Sequence, residues 1–430
     1  MGDNMKFQLT KQEKNWVLYD VGNSALTLLV STIMPIYFNH LASSAGLSDV
    51  DYLAYWGYAA SVSTLLVALL GPVFGTMADY KGFKKPIFLA FLAVGAIGCI
   101  SLGLAKQWLI FLILFVIAKV GYSGSLIFYD SMLPDITEPD RMDNISSLGY
   151  AWGYIGSCLP FVACLVPVLF ADGLGLSMPA AMLIAFCITA LWWVGMSLPL
   201  VKSYRQKYCV PRQPGAVTAA FSRLWNTLKN ARKEKKAFLF LLAFFFYIDG
   251  VYTIIDMATA YGSALGLDST GLLLALLVTQ IVAFPFALLF GRLAKKHPTE
   301  KLISVCIMAY FGIAVFAIFL QSQWQFWTLA VLVGMFQGGI QALSRSYLGK
   351  IIPAERSGEF YGLMDIFGKG ASFVGMLLVS VMSQATAGIT VDIFGITLQN
   401  ENLAVGSLII LFIIGYLLFC KADKLNKQRN

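Results

Sequence analysis

Charged side chains are scarce in this 430-residue chain. Asp, Glu, Lys and Arg make up 13% of it, where soluble proteins carry about 25%. Histidine occurs only at His40 and His297, too few and too far apart for a metal cluster or an imidazole-based catalytic centre. The seven cysteines (Cys99, Cys158, Cys164, Cys187, Cys209, Cys306, Cys420) are scattered, most of them inside apolar runs, and no C-x-x-C pair exists. Neither a disulfide framework nor a zinc site is indicated. With no nucleophile elbow and no phosphate-binding loop, the chain reads as a non-enzyme with no cofactor and no metal. Met1 to Asn15 is polar and has no signal-peptide apolar core, so the first apolar run is read as a membrane span that is kept.

Apolar side chains dominate instead, at 58% of residues and a mean hydropathy of +0.73. One soluble core cannot absorb that much apolar surface. A membrane crossing takes about 20 apolar residues, so roughly twelve crossings account for it. Runs of that length fall at about 16–41, 53–78, 86–105, 108–132, 147–170 and 179–201, then at 237–262, 270–294, 301–320, 325–348, 359–385 and 402–421. Within lipid such runs must be helices. The fold class is therefore an all-α membrane protein of twelve transmembrane helices in two six-helix pseudo-repeats. Its parts are an N-terminal bundle (1–201), a basic linker (202–236) and a C-terminal bundle (237–430).

The net charge of +8 invites a nucleic-acid reading until the charges are sorted by loop. Of 31 Lys and Arg residues, 28 lie in the terminal segments or in alternate loops on one side. By the positive-inside rule that side is cytoplasmic. Both termini are then inside, the expected membrane is a bacterial inner membrane, and no nucleic-acid partner is expected. The chain is expected to act as a monomer in the lipid bilayer.

Sliding the second half by about 215 residues aligns it with the first. Phe74-Gly75-x-x-Ala78 meets Phe290-Gly291-x-x-Ala294, and Ser131, Leu133, Arg141, Leu148 and Gly153 meet Ser346, Leu348, Arg356, Leu363 and Gly368. Two parallel repeats of this kind are a transporter plan in which the solute binds between the halves near mid-membrane.

An ionisable group within a span costs about 2.5 kcal/mol or more and is a functional candidate. Asp20, Lys119, Asp130, Asp249, Asp256, Asp365 and Lys369 make up that set. Asp249 is the first choice for coupling a proton or holding a solute amine, with Gly250 beside it to admit a ligand. Satisfaction by a neighbouring span is the competing reading. Asn23 and Ser24 lie about a turn deeper than Asp20 and are candidates to bind solute or to pack helices. Asp365 and Lys369 share a helix face, so a structural pair and a solute-carboxylate anchor are equally open.

The loop Gly75-x-x-x-Asp79-x-x-Gly82-x-Lys84-Lys85-Pro86 resembles the signature loop of the major facilitator superfamily. The resemblance makes Asp79, Lys84 and Lys85 gate candidates, joined by Asp130, Arg141, Arg345 and Arg356 at span ends. Within that superfamily the chain is similar to the vacuole-effluxer-like group. The similarity rests on Trp16-x-x-Tyr19-Asp20-x-x-Asn23-Ser24-Ala25, Phe128-Tyr129-Asp130-x-x-Leu133-Pro134 and Tyr247-x-Asp249-Gly250-Val251-x-Thr253-Ile254. Gly338-Gly339-x-Gln341-Ala342-Leu343-Ser344-Arg345-Ser346, Glu359-Phe360-Tyr361-Gly362 and Gly368-Lys369 complete it. It implies a secondary transporter moving a small polar solute, an amino acid in the first instance, by alternating access with a proton as a candidate coupling partner. It also suggests that Lys119 sits where many superfamily members place a coupling-linked arginine. A permease for a sugar, nucleoside or drug keeps the same fold, and a non-transporting sensor with the linker as its output is the alternative from another class.

Overall fold

A computed structural model describes residues 8–31, 33–211, 222, 225, 229, 234–386, 388–393 and 396–427. Apart from one short hairpin the ordered elements are helices. Span 1 is Lys11–Ser31 continued by Ile33–Ser44, and spans 2 to 6 are Asp49–Ala78, Lys84–Leu102, Trp108–Ser131, Met142–Leu169 and Met178–Ser203. Spans 7 to 11 are Lys235–Ala264, Ser269–Leu293, Thr299–Ile318, Gln323–Ile351 and Ser357–Ala385. Span 12 is formed by Asn400–Gly406 and Ile409–Lys427. Eleven of these are apolar and long enough to cross a bilayer. In span 11 the described residues give an apolar stretch at Val374–Ala385. Before it, Glu359 is buried and Asp365 half-buried, facing protein, which is where polar residues in a span are tolerated.

Two apolar cores form, one from residues between Trp16 and Tyr204 and one from residues between Ala237 and Phe419. Outside them, Leu65, Leu69, Ile97, Leu159, Leu191 and Leu417 stay largely exposed, as side chains bathed by lipid do. Caps start the helices on the face opposite the termini. Ser48 accepts from the Asp51 amide, Asp268 accepts from the Gly271 amide, and Ser322 forms a capping box with Gln325. A β-hairpin, β1 (Val391–Ile393) paired with β2 (Ile396–Leu398), lies before span 12 and was not legible in the pattern. Gln321 donates to the Thr397 carbonyl oxygen, which ties the hairpin to the loop between spans 9 and 10.

The terminus-bearing end is shut by direct helix contact between the halves. Gly71 and Gly75 of span 2 face Gly358 and Gly362 of span 11 so closely that a methyl group at any of the last three would strike the opposing backbone. Two small-xxx-small ridges thus mesh, as membrane helices do when dispersion and close approach replace the hydrophobic effect. In the following loop Gly82 takes φ +82°, a left-handed conformation that disfavours any other side chain. The linker's first residues bond to the loop that follows span 2. Lys81 donates to the Val210 carbonyl oxygen, the Val210 amide donates to that of Asp79, and Gln206 bonds Ala78 and Gly82. Most of 212–233 lies outside the described residues.

Gly358→Ala is expected to spread spans 2 and 11 and to lower the stability of the purified protein by about 1–3 kcal/mol, the usual overpacking cost. Thermal unfolding in detergent checks this, with Gly173→Ala, where an added methyl meets nothing within 4 Å, as the neutral control.

Candidate functional site

Arg345 of span 10 reaches across the seam into the N-terminal half. Its Nη1 donates to Asp130 Oδ1 at 3.0 Å, and its Nη2 donates to Asp20 Oδ2 at 3.1 Å and to the Ser146 carbonyl oxygen at 2.9 Å. The Nε donates to Ser146 Oγ at 2.8 Å. One guanidinium is thereby bound to spans 1, 4 and 5 at once. Trp16 and Tyr150 lie face-on to it, with the guanidinium carbon 4.6 and 4.4 Å from their ring centroids. Such stacking suits a weakly hydrated planar cation. Arg345 is 3% exposed and Asp20 6%, so neither charge is shared with bulk water.

The local sequence explains why these groups meet. Asp20 fits because Gly149 and Gly153 on span 5 leave room for its carboxylate and backbone. Asn23 donates to Asp20 Oδ1 at 3.2 Å, and Ser24 Oγ donates to the Asp20 carbonyl oxygen. Trp16 is held by its own indole N–H, which donates to the Tyr129 carbonyl oxygen. It is fully buried against the arginine. Tyr361 of span 11 donates to the Arg345 carbonyl oxygen at 2.7 Å, fixing the arginine's helix.

Two further cross-seam ties flank this centre. Asp79, with no exposed surface, accepts from the Gly358 amide at 2.7 Å and the Glu359 amide at 3.1 Å, so a carboxylate caps the N-terminus of span 11. Lys84 donates to Ser357 Oγ at 2.8 Å while also bonding Asp135 and the Ser131 carbonyl oxygen. On the other flank Asp143 accepts from Ser346 Oγ and Thr299 Oγ1, each at 2.6 Å, and from Lys350. Asn144 donates to the Gly291 carbonyl oxygen. Sequence reading missed Asp143 and Lys350, because an acid at a helix start and a lysine at a helix end are what any solvated helix carries.

Two of the gate candidates, Arg141 and Arg356, bond nearby acids. Arg141 binds Glu13 at 2.7 Å and the Gln8 carbonyl oxygen, and Arg356 binds Glu359 at 2.8 Å. Glu234 is the further ion partner of Arg356, at 3.7 Å. Glu13 and Glu359, the acids hydrogen-bonded to these arginines, belong to the arginines' own halves. Lys85 stands outside these networks among the described residues.

Above Arg345 lies a cavity of about 400 Å³ between the halves. Asp20, Asn23, Ser24, Asp130, Asp256 and Asp365 line it with Arg345, and tyrosines and glutamines fill the wall. Lys119 of span 4 acts electrostatically on Asp256 across the seam. Asp249, the first choice from sequence, does not line this cavity. It is fully buried between spans 7 and 11, where its Oδ1 accepts from Thr253 and from the Gly375 amide. Gly375 opens the space it occupies, as Gly149 does for Asp20. The side chain of Lys369 lies outside the described residues.

Replacing Arg345 with Gln strands Asp20 and Asp130 at the seam. Thermal unfolding should register a loss of about 3–5 kcal/mol, the cost of breaking a buried pair by removing one partner. Asp130→Asn, which leaves Asp20 in place, should cost less, and combining it with Arg345→Gln should be clearly less than additive.

The chain is similar to known proteins in sequence and in fold. A family model described as vacuole effluxer Atg22 like matches residues 45–429. An uncharacterized MFS-type transporter, YxiO of Bacillus subtilis (strain 168), is 42% identical over 416 residues, covering 96% of this chain and 94% of that one. Autophagy-related protein 22 of Coccidioides immitis (strain RS) is 23% identical, covering 78% of this chain and 68% of that protein. Among solved structures, a bacterial homologue of the iron transporter ferroportin in an outward-facing state superposes with a TM-score of 0.70 at 14% identity, over 96% of this chain and 98% of that one. The transporter FucP in its outward conformation gives 0.69 at 13%, over 96% and 97%. With matched sequence over nearly its whole length and the twelve-helix fold in common, the chain belongs to the Atg22-like vacuole effluxer family of major facilitator superfamily transporters.

Proposed function

We propose that the protein moves a small zwitterionic solute, an amino acid, across a bacterial cell membrane by alternating access, with a proton as coupling ion and the terminus-bearing face in the cytoplasm. The observation that carries this reading is the Arg345–Asp20–Asp130 cluster at the floor of the cavity. Opening the terminus-bearing end pulls Arg345 away from both carboxylates and leaves three largely buried charges without their partners, a costly state. A zwitterion supplies what each side loses. Its carboxylate is a bidentate partner for Arg345, and its ammonium is a donor to Asp20 and Asp130. The loaded protein can then open where the empty one cannot, which is the differential binding that alternating access requires. A proton taken up by Asp130 or Asp20 removes part of the same cost. Asp256 of the second half lines the same cavity, and Lys119 of the first half acts on it electrostatically.

A sugar offers neither charge, so it fits this floor less well, although it keeps the fold. The outward-facing states named for two structural neighbours agree with a chain closed at its basic end. Both termini in the cytoplasm and a boundary between bundles near 202–236 follow the charge distribution and the two separate cores. Asp249, packed away from the cavity, supports the C-terminal bundle.

Counterflow in proteoliposomes across amino acids, sugars and nucleosides tests the proposal. Amino acids should exchange, with sugars and nucleosides at background. Arg345→Lys, which keeps the charge but loses the fork, should cut exchange by about tenfold or more. Asp249→Asn should retain most of the exchange. Amino-acid exchange that survives Arg345→Lys unchanged would contradict the assignment.

A further inference from the structure

Span 10 lines the central cavity with Gln337, Gln341 and Arg345, set four residues apart. That spacing keeps them on one helix face and puts Gln337 about 12 Å along the axis from Arg345, toward mid-membrane. Span 5 lines the facing wall in the same rhythm. Tyr150 stacks on the Arg345 guanidinium at the floor, and Tyr154 follows one turn farther in. The Tyr154 ring lies against Gly338, where an added methyl would come within 3.0 Å of its edge. Tyr154 and Gln337 thus meet across the seam. Arg345 has its partners, and these two groups do not. Gln337 is 3% exposed, yet its Oε1 accepts no hydrogen bond among the described residues. The Tyr154 hydroxyl is also buried, and although Gln337 is its polar neighbour the two form no well-aligned hydrogen bond. A buried acceptor and a buried hydroxyl without partners each cost stability, and such groups in a native protein call for a reason. The cavity they line is where a partner enters.

We propose that Gln337 and Tyr154 form the subsite for the solute's side chain, and that the solute is an amino acid with a carboxamide side chain, glutamine. The inference rests on the amino-acid reading, in which the solute's carboxylate meets Arg345 and its ammonium meets Asp20 and Asp130. With that end held at the floor, the side chain extends along span 10 past Gln341. A carboxamide carries a donor and an acceptor side by side, its N–H for Gln337 Oε1 and its carbonyl oxygen for the Tyr154 hydroxyl. An apolar side chain of equal length leaves both groups buried and unpaired, and a site of that kind rejects the analogue that lacks the polar group. Glutamate has acceptors but no donor for Gln337 Oε1, and lysine has donors but no acceptor for the tyrosine proton. Serine and threonine have hydroxyls on side chains too short to cover two helical turns.

The test is counterflow by the full chain in proteoliposomes with labelled glutamine, methionine, tyrosine and serine. Glutamine should exchange about tenfold or more faster than methionine, an apolar side chain of similar length, because methionine leaves two buried polar groups unpaired. In Gln337→Met, glutamine exchange should fall about tenfold while methionine exchange holds or rises, so that the preference disappears. Thermal unfolding of this variant without solute should be no lower than that of the parent, since an unpartnered acceptor has been removed. A clear loss of stability would show that Gln337 serves packing and would overturn the inference. Tyr154→Phe deletes one oxygen and should reduce the preference about fivefold, a readout independent of the first variant. A glutamine preference that survives both substitutions overturns the inference, as does faster exchange of methionine, tyrosine or serine by the parent. In those cases the amino-acid assignment stands. If none of the four exchanges, the assignment and the inference both fall.

Discussion

A guanidinium taken out of water and placed between two helical bundles must find acceptors for all its donors, and the acceptors available to Arg345 belong to the other bundle. That constraint links the halves more tightly than packing alone. An arginine and two carboxylates in a seam stabilise the closed arrangement only while all three stay together. Their separation is therefore a discrete event. The ties at Asp79, Lys84 and Asp143 flank this centre on both sides and bring the same two halves into register.

The repeat gives the arrangement its logic. Asp130 and Arg345 stand 215 residues apart, the offset that aligns the two halves, so equivalent positions in the repeats carry opposite charges and bind each other. Glycine use follows the same plan. Span 5 is hollowed at Gly149 for Asp20 of span 1, and span 11 at Gly375 for Asp249 of span 7. Only the first of these carboxylates reaches the seam. The second is bonded through its Oδ1 inside its own bundle, and at the latch itself one half bears the two carboxylates and the other the arginine. Two like-charged copies would repel; the asymmetry is what permits closure.

Much of this was legible from the residues. Twelve apolar runs, their basic loops and the offset near 215 specify the fold, because lipid leaves a chain no choice but to form helices of that length. Asp20, Asp130, Asp256 and Asp365 were legible as cavity candidates because polar atoms in hydrocarbon demand a reason. Depth along a span, however, says nothing about which way a side chain points. Asp249 lies deep in its helix and faces its own bundle, while Arg345, near a helix end, spans the seam. Arg141 and Arg356 align in the repeat, yet each is claimed by a glutamate of its own half. Trp16 carries the composition of an interfacial residue and serves as a lid on a cation. These choices are made by tertiary contact, and one sequence does not contain them.

The most direct measurement is the separation of the halves at the basic end. Spin labels at Lys81 and Lys296, exposed positions on opposite halves, report it by electron–electron double resonance on a cysteine-free background. If the Arg345 cluster is the latch, the resting protein gives a short, narrow distribution. Arg345→Gln or saturating amino acid then shifts it to longer distances. A distribution that stays short in Arg345→Gln would show that the seam is closed by packing alone, and would contradict the central role given to the ion cluster.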